Sequence, residues 1–245
     1  MDIWRLIRAD WLKTRRTPIR WVVFALPVGY ALTLLWYFST FRVTPELPSK
    51  VYEAFFEAWC VFLPLIYGLL TGLMGLQEEQ AGGFRVLLGI PSARIRIYGS
   101  KLLLLIGVAF GSPLVSATIV VLGMKFGMGV ENIHAEVFYV GALLSAAGSM
   151  ALGACHLWLG FAFGFGASVG VGGAGFLTAA IIGVTSVGDG IWGAVPWAWP
   201  VRLAMHPLAS VDLPKGLLYA CSLFAVVTVL SLLWFQRWEG RKREE

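Results

Sequence analysis

Residues 102–124 read LLLLIGVAFGSPLVSATIVVLGM and carry no charged side chain. Because a helix of roughly 20 apolar residues crosses the hydrocarbon core of a bilayer, this stretch predicts a transmembrane helix. Five other stretches have the same length and character. The six predicted spans are Trp21–Phe41, Phe55–Leu76, Leu102–Met124, Val137–Phe163, Val169–Val187 and Gly216–Phe235.

The composition supports a chain that lies mostly in lipid. Of the 245 residues, 58% are hydrophobic and 13% are charged, and the mean hydropathy is +0.76. A soluble domain of this size could not bury so much apolar surface. No long polar segment interrupts the spans, so we predict an all-α polytopic membrane protein with one transmembrane domain over residues 1–245.

The basic residues predict the orientation of the chain. Fourteen of the 19 lysines and arginines lie before the first span, between the second and third spans, or in the tail. The positive-inside rule makes that side cytoplasmic, so both termini are predicted inside the cell. The net charge of +5 then reflects topology and contact with anionic headgroups, and we expect no nucleic-acid partner.

The first 17 residues differ from the spans. Ile3, Trp4, Ile7, Trp11 and Leu12 recur at helical spacing, and the arginines fall mostly elsewhere on the helix. A basic helix with two tryptophans on its apolar face is typical of the membrane interface. A soluble tail is the alternative, but it leaves the tryptophans unexplained.

Two short motifs suggest enzyme chemistry but have simpler explanations. GVGGAG at 170–175 matches a dinucleotide fingerprint, yet it lies in a predicted span, where small residues let helices approach closely. GASVG at 166–170 places Ser168 in a protease-like context, and only His156 lies at the same membrane depth to serve as its base. We therefore predict no catalytic residue and no metal site, and keep an intramembrane serine protease as a less favoured alternative.

The chain also lacks the residues that would power transport. No charged side chain lies in the middle of a predicted span, as coupled transporters usually require. There is no GxxxxGK[ST] sequence, so the chain cannot bind ATP through a P-loop. Uphill transport would need another subunit.

The connection over residues 77–101 has a distinctive order of residue types. An acidic pair is followed by glycines, an apolar Leu87-Leu88 pair, a proline and a basic residue before the third span. This order resembles the coupling segment of type-2 ABC exporter permeases. An ordinary solvated loop is the alternative. The resemblance implies these contacts to an ATPase subunit: Glu78, Glu79, Gly82, Gly83, Phe84, Leu87, Pro91 and Arg94.

Two further stretches are similar to the permease subunits of lantibiotic self-immunity transporters. They are WLKTRRTPIRWVVFALP at 11–27 and PWAWPVRLA at 196–204, and HLWL at 156–159 is also similar. Basic residues are expected after HLWL in that family, whereas this chain continues GFAFGFG over 160–166. Because the basic residues are missing, this connection would contact the ATPase differently from the corresponding connection of that family.

The resemblance implies an ATP-driven exporter in the bacterial cell membrane. Two permease chains, identical or related, would assemble with two copies of an ABC ATP-binding subunit. That partner would hold ATP and Mg²⁺, and this chain would hold no cofactor. The implied substrates are cationic amphipathic peptides. A lipid or hydrophobic-drug permease and a non-transporting scaffold remain alternatives.

The segment 188–215 is the longest on the predicted outer side. Its tryptophans, Trp192, Trp197 and Trp199, are candidate substrate contacts, since aromatic faces bind both apolar and cationic side chains. Anchoring at the headgroup level is the alternative role.

Overall fold

The computed structural model describes residues 2–82, 84–205, 207 and 212–241. Within these ranges the chain is almost entirely helical and contains no strand. We number the α-helices in chain order. They are α1 (Ile3–Lys13), α2 (Leu26–Ser39), α3 (Leu47–Gln80), α4 (Arg85–Leu88), α5 (Arg94–Leu122), α6 (Ala135–Ala162), α7 (Phe165–Thr178), α8 (Trp199–Met205) and α9 (Leu213–Arg237).

Wider π-helical turns extend three of the helices. They precede α2 at Trp21–Ala25 and follow α5 and α7 at Gly123–Gly127 and Ala179–Val184. With these turns included, six described helices are long and apolar enough to cross a membrane: Trp21–Ser39, Leu47–Gln80, Arg94–Gly127, Ala135–Ala162, Phe165–Val184 and Leu213–Arg237. The predicted all-α polytopic fold is confirmed.

Several helices run past the predicted ends of the spans. At 34 residues, α3 is about 51 Å long for a rise of 1.5 Å per residue, which exceeds the hydrocarbon thickness. Its polar ends therefore project beyond the apolar layer. The predicted ends of the spans were placed where the apolar run ends. The helices continue past those points and end only where the backbone turns. Similarly, α7 begins at Phe165, four residues before the predicted Val169.

Small residues bring the central helices into backbone contact. The helices α3 and α6 are the most buried of the six, and α7 packs closely along α3. A Cβ added at Gly68 would lie 2.5 Å from the carbonyl oxygen of Ser168, and one at Gly172 would lie 2.7 Å from that of Pro64. Such close packing replaces the hydrophobic effect as the main source of helix association in lipid.

Hydrogen bonds add to this packing. The Tyr30 hydroxyl donates to the carbonyl oxygen of Phe55 at 2.6 Å and joins α2 to α3. The hydroxyls of Tyr67 and Ser149 lie 2.8 Å apart and join α3 to α6. In an apolar solvent these groups would otherwise remain unsatisfied.

The peripheral helices leave large apolar side chains uncovered. Trp36 on α2 and Leu218 and Leu230 on α9 are all more than half exposed within the chain. Such faces suit lipid contact.

The predicted N-terminal helix is also present. Leu6 is buried, whereas Trp4 and Leu12 stay exposed. The helix packs across α5, and its place at the membrane interface stays a prediction.

Candidate functional site

The connection between the second and third spans forms a compact turn. The helix α3 ends at Gln80, the chain passes Gly82 at φ +129°, and Phe84 takes φ +67° before α4 begins. A left-handed conformation is unfavourable for phenylalanine and requires support from its surroundings. The packing of the Phe84 ring supplies this support, because the ring is fully buried and lies against Trp238 with ring centres 4.8 Å apart.

Six spans return both ends of the chain to one side of the bundle, together with this connection. We call that side the terminal face. It carries the N-terminal segment, residues 81–82 and 84–93, the short link between α6 and α7, and residues 238–241 of the tail.

A buried ionic cluster fixes α1 to this connection. The Lys101 ammonium lies 2.8 Å from Asp10 Oδ1 and 2.7 Å from Glu78 Oε1. Glu78 also pairs with Lys13 at 2.9 Å, and the Ser100 hydroxyl donates to Asp10 Oδ2 at 2.7 Å. Lys101 and Glu78 are only 3% and 4% exposed, so each charge depends on the others. The cluster ties α1, α3 and α5 together.

The tail closes the other side of the turn. Arg241 pairs with Glu79 at 2.6 Å, and its guanidinium lies 5.4 Å from the centre of the Phe84 ring. The same guanidinium lies directly against Gly164, whose φ of +96° and lack of a Cβ leave room for it. One tail arginine therefore contacts both connections on the terminal face, including the uncharged one between α6 and α7.

Arg94 secures the end of the last span. Its Nη1 donates to the carbonyl oxygens of Gln236 at 3.0 Å and Trp238 at 2.9 Å. A cation at a helix C-terminus satisfies free carbonyls and interacts favourably with the helix dipole.

The exposed residues on and just after α4 form a surface that a partner could contact. Within α4, Leu87 is buried on the inner side, whereas Val86 is 62% exposed and Arg85 beside it is exposed as well. Gly89 and Pro91 are also exposed. These four residues, 85, 86, 89 and 91, define what we call the α4 surface.

The predicted coupling residues thus divide into two groups. Those that contact their own chain are Glu78, Glu79, Phe84, Leu87 and Arg94. Gly82 and Pro91 are exposed, and Gly83 lies outside the described residues. For both groups, contact with an ATPase stays a prediction.

Sequence reasoning missed the partners of these residues. Asp10 is the lone acidic residue of the basic helix α1, and Lys101 enters the apolar run of α5. Each is an isolated charge among residues of another kind. This isolation is a sequence signal from which the Asp10–Lys101 ion pair could have been predicted. Nothing in the sequence pointed to Arg241.

His156 and Ser168 do come together, as the protease alternative requires. Nδ1 of His156 lies 3.4 Å from Ser168 Oγ, and that hydroxyl lies 3.0 Å from Thr71 Oγ1. Both side chains are fully buried, and among the described residues His156 Nε2 has no hydrogen-bond partner to orient the ring. The contact joins α3, α6 and α7 and gives a substrate no access.

The three tryptophans on the opposite face have different surroundings. Trp199 is 4% exposed, and its Nε1 donates to the carbonyl oxygens of Trp192 and Gly193, each at 3.1 Å. Trp192 and Trp197 are half-buried. Trp199 therefore holds the segment together, and the other two retain some exposed surface.

Arg202 fixes the same segment to the end of the fifth span. It pairs with Asp189 at 2.7 Å and donates to the carbonyl oxygens of Ile182 and Thr185.

Among the described residues, no three His, Cys, Asp or Glu side chains converge on a metal position.

The six apolar helices of the described residues define a multi-pass membrane protein. The sequence matches the family described as ABC-2 family transporter protein over residues 6–188. The chain belongs to this family, so it is a transmembrane permease component without an ATPase domain of its own. Membership implies an ABC ATP-binding partner. A comparison with curated proteins gave no match.

Proposed function

We propose that this chain is the permease of an ABC exporter that expels lantibiotic-type cationic peptides from the bacterial cell membrane. The family match over residues 6–188 carries the transport part of the proposal. The peptide substrate rests on the resemblance of residues 11–27 and 196–204 to self-immunity permeases. Two permease chains and two ATPase subunits would form the complex.

The α4 surface would receive the force from ATP binding. It is exposed on the terminal face, and the turn behind it is held by ion pairs to α1 and to the tail. A rigid turn can pass a push on α4 directly to α3 and α5. Glu78, which is buried, and Glu79, which is 31% exposed, would then stiffen the turn through their ion pairs.

The charge distribution supports a cytoplasmic terminal face. Fourteen of the 19 basic residues lie before the first predicted span, between the second and third spans, or after the sixth. The segment that contains Trp192 and Trp197 would lie outside, where a peptide leaves the membrane. Their exposed edges could contact its apolar and cationic side chains, at about 0.5–2 kcal/mol per contact.

A sensitivity assay tests the substrate class. Deleting this chain from its host should make cells more sensitive to a cationic amphipathic peptide, and expressing it again should restore protection. Sensitivity to an uncharged hydrophobic drug should stay the same. Unchanged peptide sensitivity with altered drug sensitivity would instead identify a permease for drugs or lipids.

A serine variant separates export from proteolysis. Ser168→Ala should preserve protection, because it removes only the interhelical hydrogen bonds to Thr71 and His156, each worth about 0.6 kcal/mol in membrane proteins. Complete loss of protection at normal membrane levels, together with fluorophosphonate labelling of the wild-type serine, would favour the protease.

A further inference from the structure

A groove on the lipid-facing surface lies between α1, α2 and α5. It encloses about 350 Å³, and its lining is apolar except for Ser112. Trp11 of α1, Phe24 of the π-helical turn before α2, Pro27 of α2 and Gly107 of α5 contribute to its walls. A Cβ placed at Gly107 would meet no atom within 4 Å, so the groove is open beside this helix.

A basic pocket adjoins the groove. Arg15, Thr17 and Arg20 line it, and Phe24 lines both the pocket and the groove. The Arg20 guanidinium lies 5.3 Å from the centre of the Trp11 ring, and Trp11 packs edge-on against Phe24 at 5.6 Å. The apolar groove and the basic pocket are therefore neighbours that share Phe24 as a wall.

The two arginines differ from three other cations of the terminal face. Lys13, Lys101 and Arg241 each pair with a carboxylate of this chain. Among the described residues, no carboxylate pairs with Arg15, and Arg20 contacts only the Thr14 hydroxyl, at 3.4 Å, and the Trp11 ring. Their positive charge is available to an anion from outside the chain.

We propose that the groove and pocket together bind one anionic phospholipid. The phosphate would lie between Arg15 and Arg20, and an acyl chain would fill the groove. A lipid tail matches the lining because it brings no polar group, whereas a peptide backbone would leave its amides unsatisfied there. A cationic peptide would also be repelled by the arginines. This site is independent of the proposed export of peptides.

Such a lipid would complete the attachment of α1. Asp10, next to Trp11 in the chain, is already held by Lys101. The bound lipid would fill the remaining gap between α1, α2 and α5.

Native mass spectrometry of the delipidated full-length chain, in detergent with any partner that co-purifies, tests the proposal. Phosphatidylglycerol should bind about ten-fold more tightly than phosphatidylcholine with the same acyl chains, with one tight site per chain. The Arg15→Gln/Arg20→Gln double variant should lose this preference. The matched control, Arg5→Gln/Arg8→Gln, removes equal charge from the exposed side of α1 and should keep it.

A second variant tests the groove. Gly107→Leu, whose Cβ would meet no atom within 4 Å, should lower the binding of both lipids about ten-fold, because the side chain occupies the space of the acyl chain. Equal affinity for the two lipids, equal losses in both double variants, or unchanged binding by Gly107→Leu would overturn the proposal. Full competition by glycerol phosphate, which has no chain, or by a cationic peptide would also overturn it.

Discussion

At the scale of single residues, Lys101 has the most demanding surroundings on the terminal face. Its ammonium group is away from water and within 2.8 Å of two carboxylates that belong to different helices. Desolvating these charges is costly, and only their mutual contacts offset that cost. A change at Lys101 should therefore affect α1, α3 and α5 together.

Lys101→Met should lower the free energy of unfolding by about 3 kcal/mol, since Asp10 loses its cation and Glu78 keeps only Lys13. Lys50→Met is the matched control: it breaks an exposed pair with Glu46 and should cost less than about 1 kcal/mol. Denaturation of the purified variants measures the free energy of unfolding in both cases. Equal losses would contradict the stated role of burial.

The tryptophans offer a second comparison between single residues. Trp199→Phe removes the donor to two carbonyl oxygens and should cost about 1–2 kcal/mol. Trp197→Phe is the control, because no hydrogen-bond partner of its Nε1 is found among the described residues. Thermal unfolding midpoints should fall for Trp199→Phe alone. A larger fall for Trp197→Phe would show that packing outweighs these hydrogen bonds.

At the scale of helices, α4 has two faces with separate roles. Leu87 and the preceding Phe84 point into the bundle, whereas Val86 points away from it. The inner face fixes the turn, and the outer face is free for a partner.

Val86→Asp should therefore uncouple this chain from its ATPase while the protein inserts normally. We expect peptide-stimulated ATP hydrolysis to fall at least about ten-fold, because a charge is buried at the contact without a partner. Val43→Asp makes the same change at an exposed position of the opposite face and should have no effect. Normal coupling in Val86→Asp would exclude the α4 surface as the contact.

The helices themselves could be predicted from the sequence, because each span is an uninterrupted apolar run. The short helix α4 at Arg85–Leu88 is too brief to stand out in the same way. The partners of the acidic pair could not be predicted. Glu78 meets Lys13 across 65 positions, and Glu79 meets Arg241 across 162, and no local pattern specifies such distances.

At the scale of the whole molecule, two groups of helices are evident. The helices α3 and α6 form the buried centre, and α2, α7 and α9 leave apolar surface for lipid or for other chains. The terminal face carries the buried ionic cluster, whereas the ion pairs of the opposite face are more exposed and lie on the side of the tryptophan segment. This polarity suits a subunit driven from one side of a membrane.

The orientation can be tested by labelling cysteines in a variant that lacks Cys60, Cys155 and Cys221. A cysteine at the exposed position Gly190 should react with an impermeant reagent in intact cells. One at the exposed position Pro91 should react only after permeabilisation. Labelling of position 91 in intact cells would reverse the proposed topology.

Purification through a tag on this chain, followed by an assay of ATP hydrolysis, tests the central claim most directly. We predict that an ABC ATP-binding subunit co-purifies in equal amount with the chain and that a cationic amphipathic peptide raises its hydrolysis rate in reconstituted membranes. Purification of the chain without an ATP-binding subunit, or hydrolysis that no membrane-active substrate changes, would contradict the account.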